Sequence, residues 1–451
     1  MLIYSTQNSP RLQYTLDFIF KEINGISYDL TTDWNFFVSY NGIKINYSNN
    51  LENNQDILCI NIMSCGLLFE TTLMEDITIE VGTYHELPIL FFEKNSTAAF
   101  PFDLFSAVFY LISRYEEYGT TKVDKHGRYQ AENSIAYKYN FLHRPIVNYY
   151  IQFLVNSIKT IYPNFKTKIS KFTYLPTIDV DVAYEIKASN FKQHALNIFK
   201  LFLRLKVKRL LNYILIIGGK ANDPNDTFSF IEKIHTEARL STLYFILFTK
   251  NSGYDINNST RNPVFKKLLV SLSKKTEIGI HPSYASFLKA SQVKKEINEL
   301  SFLIKKEVIK SRNHFLRIII PETYQNLSTS GIKEDYTMGY ASQPGFRAGT
   351  CHSFYFYDLT TNQPTNLRVH PFMYMDGTFF NYLKVTPAVA LNTIIKLVDE
   401  TVKFKGQFIS LWHNNTLADN EQFFPWRIMY IKSLKYITDQ LDKIERTTQS
   451  G

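Results

Sequence analysis

The chain has 451 residues, 45% of them apolar and 20% charged, which excludes a disordered polyelectrolyte. Its length exceeds what one core ordinarily serves, so two domains are the expectation. The formal net charge of +9 is moderate for this length and comes with no nucleic-acid module signature, which sets DNA and RNA aside as partners.

Residues 1–165 read as mixed α and β. "LQYTLDFIFKEI" has helical periodicity, whereas "DILCINIM" (56–63) and "LPILFFE" (87–93) read as strands. "FPFDLFSAVFYLISRYEEYG" predicts a helix with Asp103 as its cap and Gly119 as its stop. "HRPIVNYYIQFLVNSIKTIYP" predicts a second helix ending near Pro163, and the polar "NFKTKISK" reads as the connection between domains.

From residue 172 to about 445 the rhythm becomes strand, helix, strand. "FTYLPTI" predicts a buried strand. "KLFLRLKVKRLLNYILIIGGK" (200–220) reads as one basic helix with a buried and a solvated face, and peripheral contact with a membrane surface or an acidic polymer is its alternative. Further on, "NDTFSFIEKIHTEA" predicts a helix capped by Asp226, "STLYFILF" and "TEIGIH" strands, and "SQVKKEINELSFLIKKEVI" an amphipathic helix. "HFLRIII" predicts a strand, "PETYQNLSTSG" a short helix and "EDYTMGY" a strand or turn. "TPAVALNTIIKLVDETVKFKG" predicts a helix stopped by Gly406, "QFISLWH" the last strand and "FFPWRIMYIKSLKYITDQLDKI" the closing helix. Such alternation implies an α/β domain built on a mainly parallel sheet or barrel.

In folds of this class sites gather at the carboxyl ends of strands. Asp179 and Asp181 follow one strand, His281 and His413 end two others, and Arg312 and His314 flank a fourth. Side chains two apart on a strand share a face about 6–7 Å apart, so the two aspartates repel unless something cationic lies between them. An Asp after a strand is on its own most simply a turn residue; four such ends together point to a site.

These motifs resemble those of the polysaccharide deacetylase superfamily (carbohydrate esterase family four). "TIDVD" resembles the motif with a base Asp followed by a metal-binding Asp, although Val180 separates the two here. "IGIHPSY" resembles the metal-histidine motif, "SRNHFLR" stands where an Arg-containing motif is expected, and "SLWH" matches the last motif. "EDYTMGYASQPGFRAGT", "HPFMYMDGT", "FDLFSAVFYLISRYEEY" and "DKHGRYQAENSIAYK" resemble a subgroup with an uncharacterised domain ahead of the deacetylase domain. The resemblance implies a distorted (β/α) barrel over 172–445, preceded by a smaller mixed domain over 1–165. It implies a metal-dependent hydrolase that removes acetyl groups from an N-acetylated sugar. Asp181 and His281 are its implied metal ligands, Asp179 the base, Arg312 the partner of Asp179 and His413 the acid. One departure matters. The family's second metal histidine falls on Ala285, and His314 is the expected replacement, with His352 and His370 behind it. The ion is expected to be divalent and zinc-like.

Arg347 in "GFRAG" is an alternative contact for Asp179 or a substrate ligand, and Tyr284 and Asp335 are further substrate-side candidates. Asp376 in "MDGT" reads as a turn residue, and His85, His126, His143, His194 and His235 as structural. Two rival readings stand beside the hydrolase. One is a degenerate member that binds glycan without turnover, and the other is a metal-free glycosidase using Asp179 and Asp181. Three cysteines (Cys59, Cys65, Cys351) at no metal or redox spacing fit a reducing compartment. The first residues do not resemble a secretory leader and no run reaches the ~18 apolar residues of a spanning helix, so the cytoplasm is the expected location.

Overall fold

The computed structural model describes residues 1–49, 57–74, 77–168, 170–189 and 191–449. Four short parallel strands open the chain: β1 (Leu2–Ser5), β2 (Asp29–Thr31), β3 (Lys44–Tyr47) and β4 (Ile60–Ile62), in the order β2-β1-β3-β4. Only Ile60–Ile62 of the expected strand over 56–63 joins this sheet, and residue 56 lies outside the described residues. An antiparallel hairpin follows, β5 (Val81–Tyr84) with β6 (Leu87–Leu90).

The helix capped by Asp103 is shorter than expected. It runs Leu104–Ile112, with the Asp103 carboxylate accepting from the Ser106 N–H. It stops because Arg114 turns left-handed (φ 55°) and sends its guanidinium inward to Glu116 and Glu117. A 16-residue helix, Ile146–Ile161, completes this part.

The second sheet has nine strands: β7 (Thr173–Val180), β8 (Leu243–Ile246), β9 (Glu277–Ile280), β10 (Lys310–Ser311), β11 (Glu334–Asp335), β12 (Phe354–Asp358), β13 (Gln363–Val369), β14 (Tyr374–Met375) and β15 (Gln407–His413). Their order is β12-β13-β11-β10-β9-β8-β7-β15-β14. Every pairing is parallel except β12 with β13. Among the described residues β12 and β14 do not pair, so the strands expected to form a distorted (β/α) barrel make an open row.

β7 is buried at Tyr174 and at every position from Pro176 to Val180, and on the neighbouring β8 Phe245 meets Tyr336 and Arg312, from just past β11 and β10 across the sheet. Pro176 lies one residue before β8 begins to pair, at Thr177 with Leu243, so its missing N–H interrupts no ladder on that side. One hydrophobic core runs without a break from Ile3 and Phe18 through Leu104 and Ile146 to Phe245 and Trp412.

Two segments depart from expectation. The basic stretch forms two helices, Phe191–Leu203 and Val207–Ile217, which turn at a left-handed Leu205 (φ 51°). "HFLRIII" is no strand. The chain leaves the ladder after the Arg312 N–H bonds Ile280 O and the His314 N–H bonds Pro282 O, then turns through Phe315 and Leu316, both at positive φ. Leu316, Ile318 and Ile320 alternate because they are buried, not because they pair.

Candidate active site

The parallel strands of the large sheet all deliver their carboxyl ends to one side, and the polar side chains collect there. Asp179 sits on β7 opposite His413 on β15. Asp181 and His281 lie just past β7 and β9, Arg312 just past β10, and Asp376 just past β14. His314 follows Arg312 by two along the extended chain past β10, its N–H bonding Pro282 O, and the chain turns only after it, at Phe315. Asp179, Asp181, His281, His314 and His413 line one cleft of about 290 Å³.

His281 Nε2 lies 3.4 Å from Asp181 Oδ1, and His314 Nε2 lies 3.8 Å from Asp181 Oδ2. The opposite ring nitrogens are both engaged: His281 Nδ1 with the Arg312 carbonyl, and His314 Nδ1 with Asp255 Oδ1 at 2.9 Å. Donation at Nδ1 leaves each Nε2 lone pair facing Asp181, the second-layer arrangement that orients histidine ligands. The ligand atoms of Asp181, His281 and His314 lie within 4.8 Å of one another. Donors about 2.0–2.2 Å from a tetrahedral ion are roughly 3.3 Å apart, so the three need only close slightly. Asp181 Oδ1 is itself a buried oxygen with no hydrogen-bond partner. The donor set therefore fits a divalent ion of the zinc type.

The electrostatics agree with the geometry. Burial alone would raise the Asp181 carboxyl, but His314, His281 and His413 hold it well below the usual carboxylate range. Burial likewise opposes the charged His314 ring, yet Asp181 and Asp255 push it up to about 9. A proton on that ring is the charge an ion would replace.

Flanking the triad are two braced groups. Asp179 Oδ1 accepts from Arg312 Nη1 at 2.8 Å, while Asp179 Oδ2 faces His281 Nε2 at 3.8 Å. Arg312 is fully buried. It also donates to Thr177 Oγ1 (2.6 Å) and Tyr336 O (2.9 Å), and lies over the Phe245 ring. On the other side, His413 Nδ1 donates to Asp376 Oδ1 at 2.8 Å, and its Nε2 lies 3.9 Å from Asp181 Oδ2. Burial lowers the basicity of His413, but Asp376, Asp181 and Asp179 push it up to about 10.

Three other candidates lie off this cleft. Arg347 makes no contact with Asp179; it is buried against Glu117 (2.6 Å) and Gly339 O (2.9 Å). Asp335 is fully buried and accepts from Ser311 and Thr337, so it holds β10 to β11 and does not line the cleft. Tyr284 packs beside the cleft among Tyr254, His126 and Phe315, with Arg317 over its ring at 4.0 Å. His352 and His370 stand at the opposite end of the sheet, with Lys171 and Arg368. Ala285 is exposed and its N–H donates to Asp255 (3.0 Å), so the position where the family's second histidine was expected braces His314.

Sequence reasoning missed Asp255 and Asp376. Asp376 carried a signal, since "MYMD" repeats the pattern of an apolar run ending in Asp; Asp255, in the polar loop "GYDINN", carried none.

Residues 1–163 match a family of unknown function, DUF7033. No curated protein matches the chain. Among solved structures it is similar to a protein of Mycobacterium smegmatis described as a polysaccharide deacetylase, at 12% identity and a TM-score of 0.38, over 60% of this chain and 84% of that one. The polysaccharide deacetylase Bc1974 of Bacillus cereus matches at 9% and 0.29, over 60% and 87%. The 4-alpha-glucanotransferase of Thermococcus litoralis matches at 12% and 0.35, over 60% and 38%. These neighbours differ in activity, and at such scores none assigns one to this chain.

Proposed function

We propose that the chain is a metal-dependent hydrolase that cleaves the amide of an N-acetylated sugar. One observation carries this reading: three convergent metal-type donors, Asp181, His281 and His314, stand between a carboxylate braced by Arg312 and an imidazole braced by Asp376. When bound, a divalent ion would polarise the amide carbonyl and make a nearby water more acidic. Asp179 keeps one oxygen on Arg312 and offers the other to that water, so it accepts the proton as the oxygen adds to carbon. His413, kept protonated by Asp376, gives its proton to the nitrogen as the C–N bond breaks, releasing acetate and an amine. Phe315, Phe380 and Tyr382 in the cleft wall offer faces to a sugar ring, and Asn381 and Asn415 offer amides to its hydroxyls.

The two-carboxylate glycosidase is disfavoured on its own terms. Its acid must be a carboxyl with a raised pKa. Of the two carboxylates in the cleft, Asp179 is ion-paired and Asp181 is held anionic. The test is acetate release from N-acetylglucosamine oligomers, measured with metal content before and after chelation. Release that is lost with the metal and restored by it supports the reading. No release from fully loaded protein favours glycan binding without turnover, and release that survives chelation overturns the role of the metal.

A further inference from the structure

The connection from β7 to β8 carries the two basic helices, and among the described residues nothing covers the apolar side chains of their outer face. Phe199, Phe202, Leu203, Leu205, Val207 and Leu211 are each more than half exposed, Leu205 at 82%. The inner face is already spent on a small core of its own, Ile186, Tyr213 and Ile216, separate from the main one. Isolated exposed leucines are ordinary, but a contiguous set on one two-helix unit marks a surface that is covered in use.

The charge around this face is of one sign. From Lys187 to Asn222 the sequence has eight lysines and arginines and no Asp or Glu. Lys200, Arg204, Lys206, Lys208 and Arg209 are interleaved with the exposed apolar residues. Apolar side chains ringed by cations match the interface of a bilayer with anionic headgroups, where the former enter the acyl boundary and the latter meet phosphates. A polyanion in solution would use the cations and leave the apolar face wet. A second copy of the hairpin would bring two strongly positive faces together. No helix among the described residues is long and apolar enough to cross a membrane, which restricts the contact to the surface.

The hairpin is also anchored. The Asp223 carboxylate accepts from the N–H groups of Glu185 (2.9 Å), Ile186 (2.8 Å) and Lys187 (2.8 Å), closing its base. Asn225 donates to Val182 O, and Asn414 donates to both Val182 O and Asn225 O. Those bonds tie the base to the loops that carry Asp181 and His413, on the side where the cleft opens.

We infer that the hairpin spanning residues 191–217 docks the protein on an anionic lipid surface. Full-length protein should sediment with vesicles of phosphatidylcholine and phosphatidylglycerol, and not with phosphatidylcholine alone. Raising the salt should weaken binding. Each large apolar side chain kept out of the interface costs about tenfold or more, so Phe202→Glu with Leu205→Glu should weaken binding at least about 100-fold. Lys206→Glu with Arg209→Glu should weaken it at least about tenfold. Both pairs are exposed and line no part of the cleft, so metal content and circular dichroism should match the parent. Failure to bind the mixed vesicles overturns the inference. So does binding unaffected by the apolar pair, which indicates a polyanion site, or a parent dimer in light scattering that the apolar pair dissociates, which indicates a second copy. None of these results depends on deacetylation.

Discussion

Replacing Asp376 by Asn tests the acid arm of the site without altering its size. The Asp376 carboxylate meets donors only: the His413 ring Nδ1–H, the His413 backbone N–H at 2.8 Å, the Gly377 N–H at 2.6 Å and the Thr416 hydroxyl. An amide there must turn its NH₂ group toward one of these donors or drive the ring to its other tautomer, and in either case the charge that stabilises imidazolium is gone. Asp376 is the leading charge that raises His413 to about 10. The parent imidazole therefore stays protonated through neutral pH and loses its proton only as the pH approaches 10. Without Asp376, only Asp181 and Asp179 oppose the effect of burial, so the ring holds its proton less firmly. Loss of a general acid costs about 10²–10⁴ in rate, so kcat should fall by as much as that while KM and metal stoichiometry stay near parent values. The alkaline fall of the rate should also move to lower pH. The assay is acetate release against pH on N-acetylglucosamine oligomers, with metal analysis and circular dichroism on each preparation. A folded, metal-loaded Asp376→Asn protein with parental kcat and an unmoved alkaline limb would refute the reasoning.

Asp179→Asn should retain metal and lose about 10²–10⁴ in turnover, read by the same assay beside metal analysis; a rate near the parent's removes Asp179 as base. His314→Ala should weaken metal binding strongly. Asp255→Asn, which disturbs only the group orienting that ring, should weaken it about 10–100-fold in a chelator competition. Equal affinity in His314→Ala and parent would leave Asp181 and His281 without their third ligand. Glu117→Gln strips Arg114 and Arg347 of a shared buried carboxylate and should cost about 3–5 kcal/mol in denaturant unfolding; a loss below about 1 kcal/mol contradicts that burial.

The strand ends were the most legible part of the sequence, because Asp179, His281 and His413 each follow an apolar run whose parallel pairing leaves one choice of side. Arg312 was legible for the same reason, whereas Arg347 was not separable from it until the chain folded. Glu117, which pairs with Arg347, lies 230 positions away. His314 is legible by its spacing, because two residues after Arg312 the chain is still extended and bonds Pro282 O; the left-handed turn at Phe315 that ends the strand there is not encoded in any periodicity. Asp255 was invisible because its role depends on three partners from elsewhere in the chain: His314 and the backbone of Tyr284 and Ala285. The basic stretch misled on geometry. Its composition suits one amphipathic helix, and the break at Leu205 reflects packing of Tyr213 and Ile216 under Ile186, a local closure that helical periodicity does not register.

The contacts between the first 163 residues and the rest bear on how such a protein can be taken apart. Arg114 bonds the carbonyl of Arg347, Tyr14 that of Tyr355 (2.7 Å), Tyr118 that of Tyr357 (3.2 Å), and Asn148 the ring of His352 (2.9 Å). A fragment beginning at residue 164 would expose the apolar wall these groups cover and leave the Arg347 guanidinium without Glu117. The sequence boundary near residue 165 is thus no place to cut. The leading segment behaves as an intramolecular subunit, and a transplant of the rest of the chain onto another leader would have to import Glu117, Asn148 and their neighbours with it.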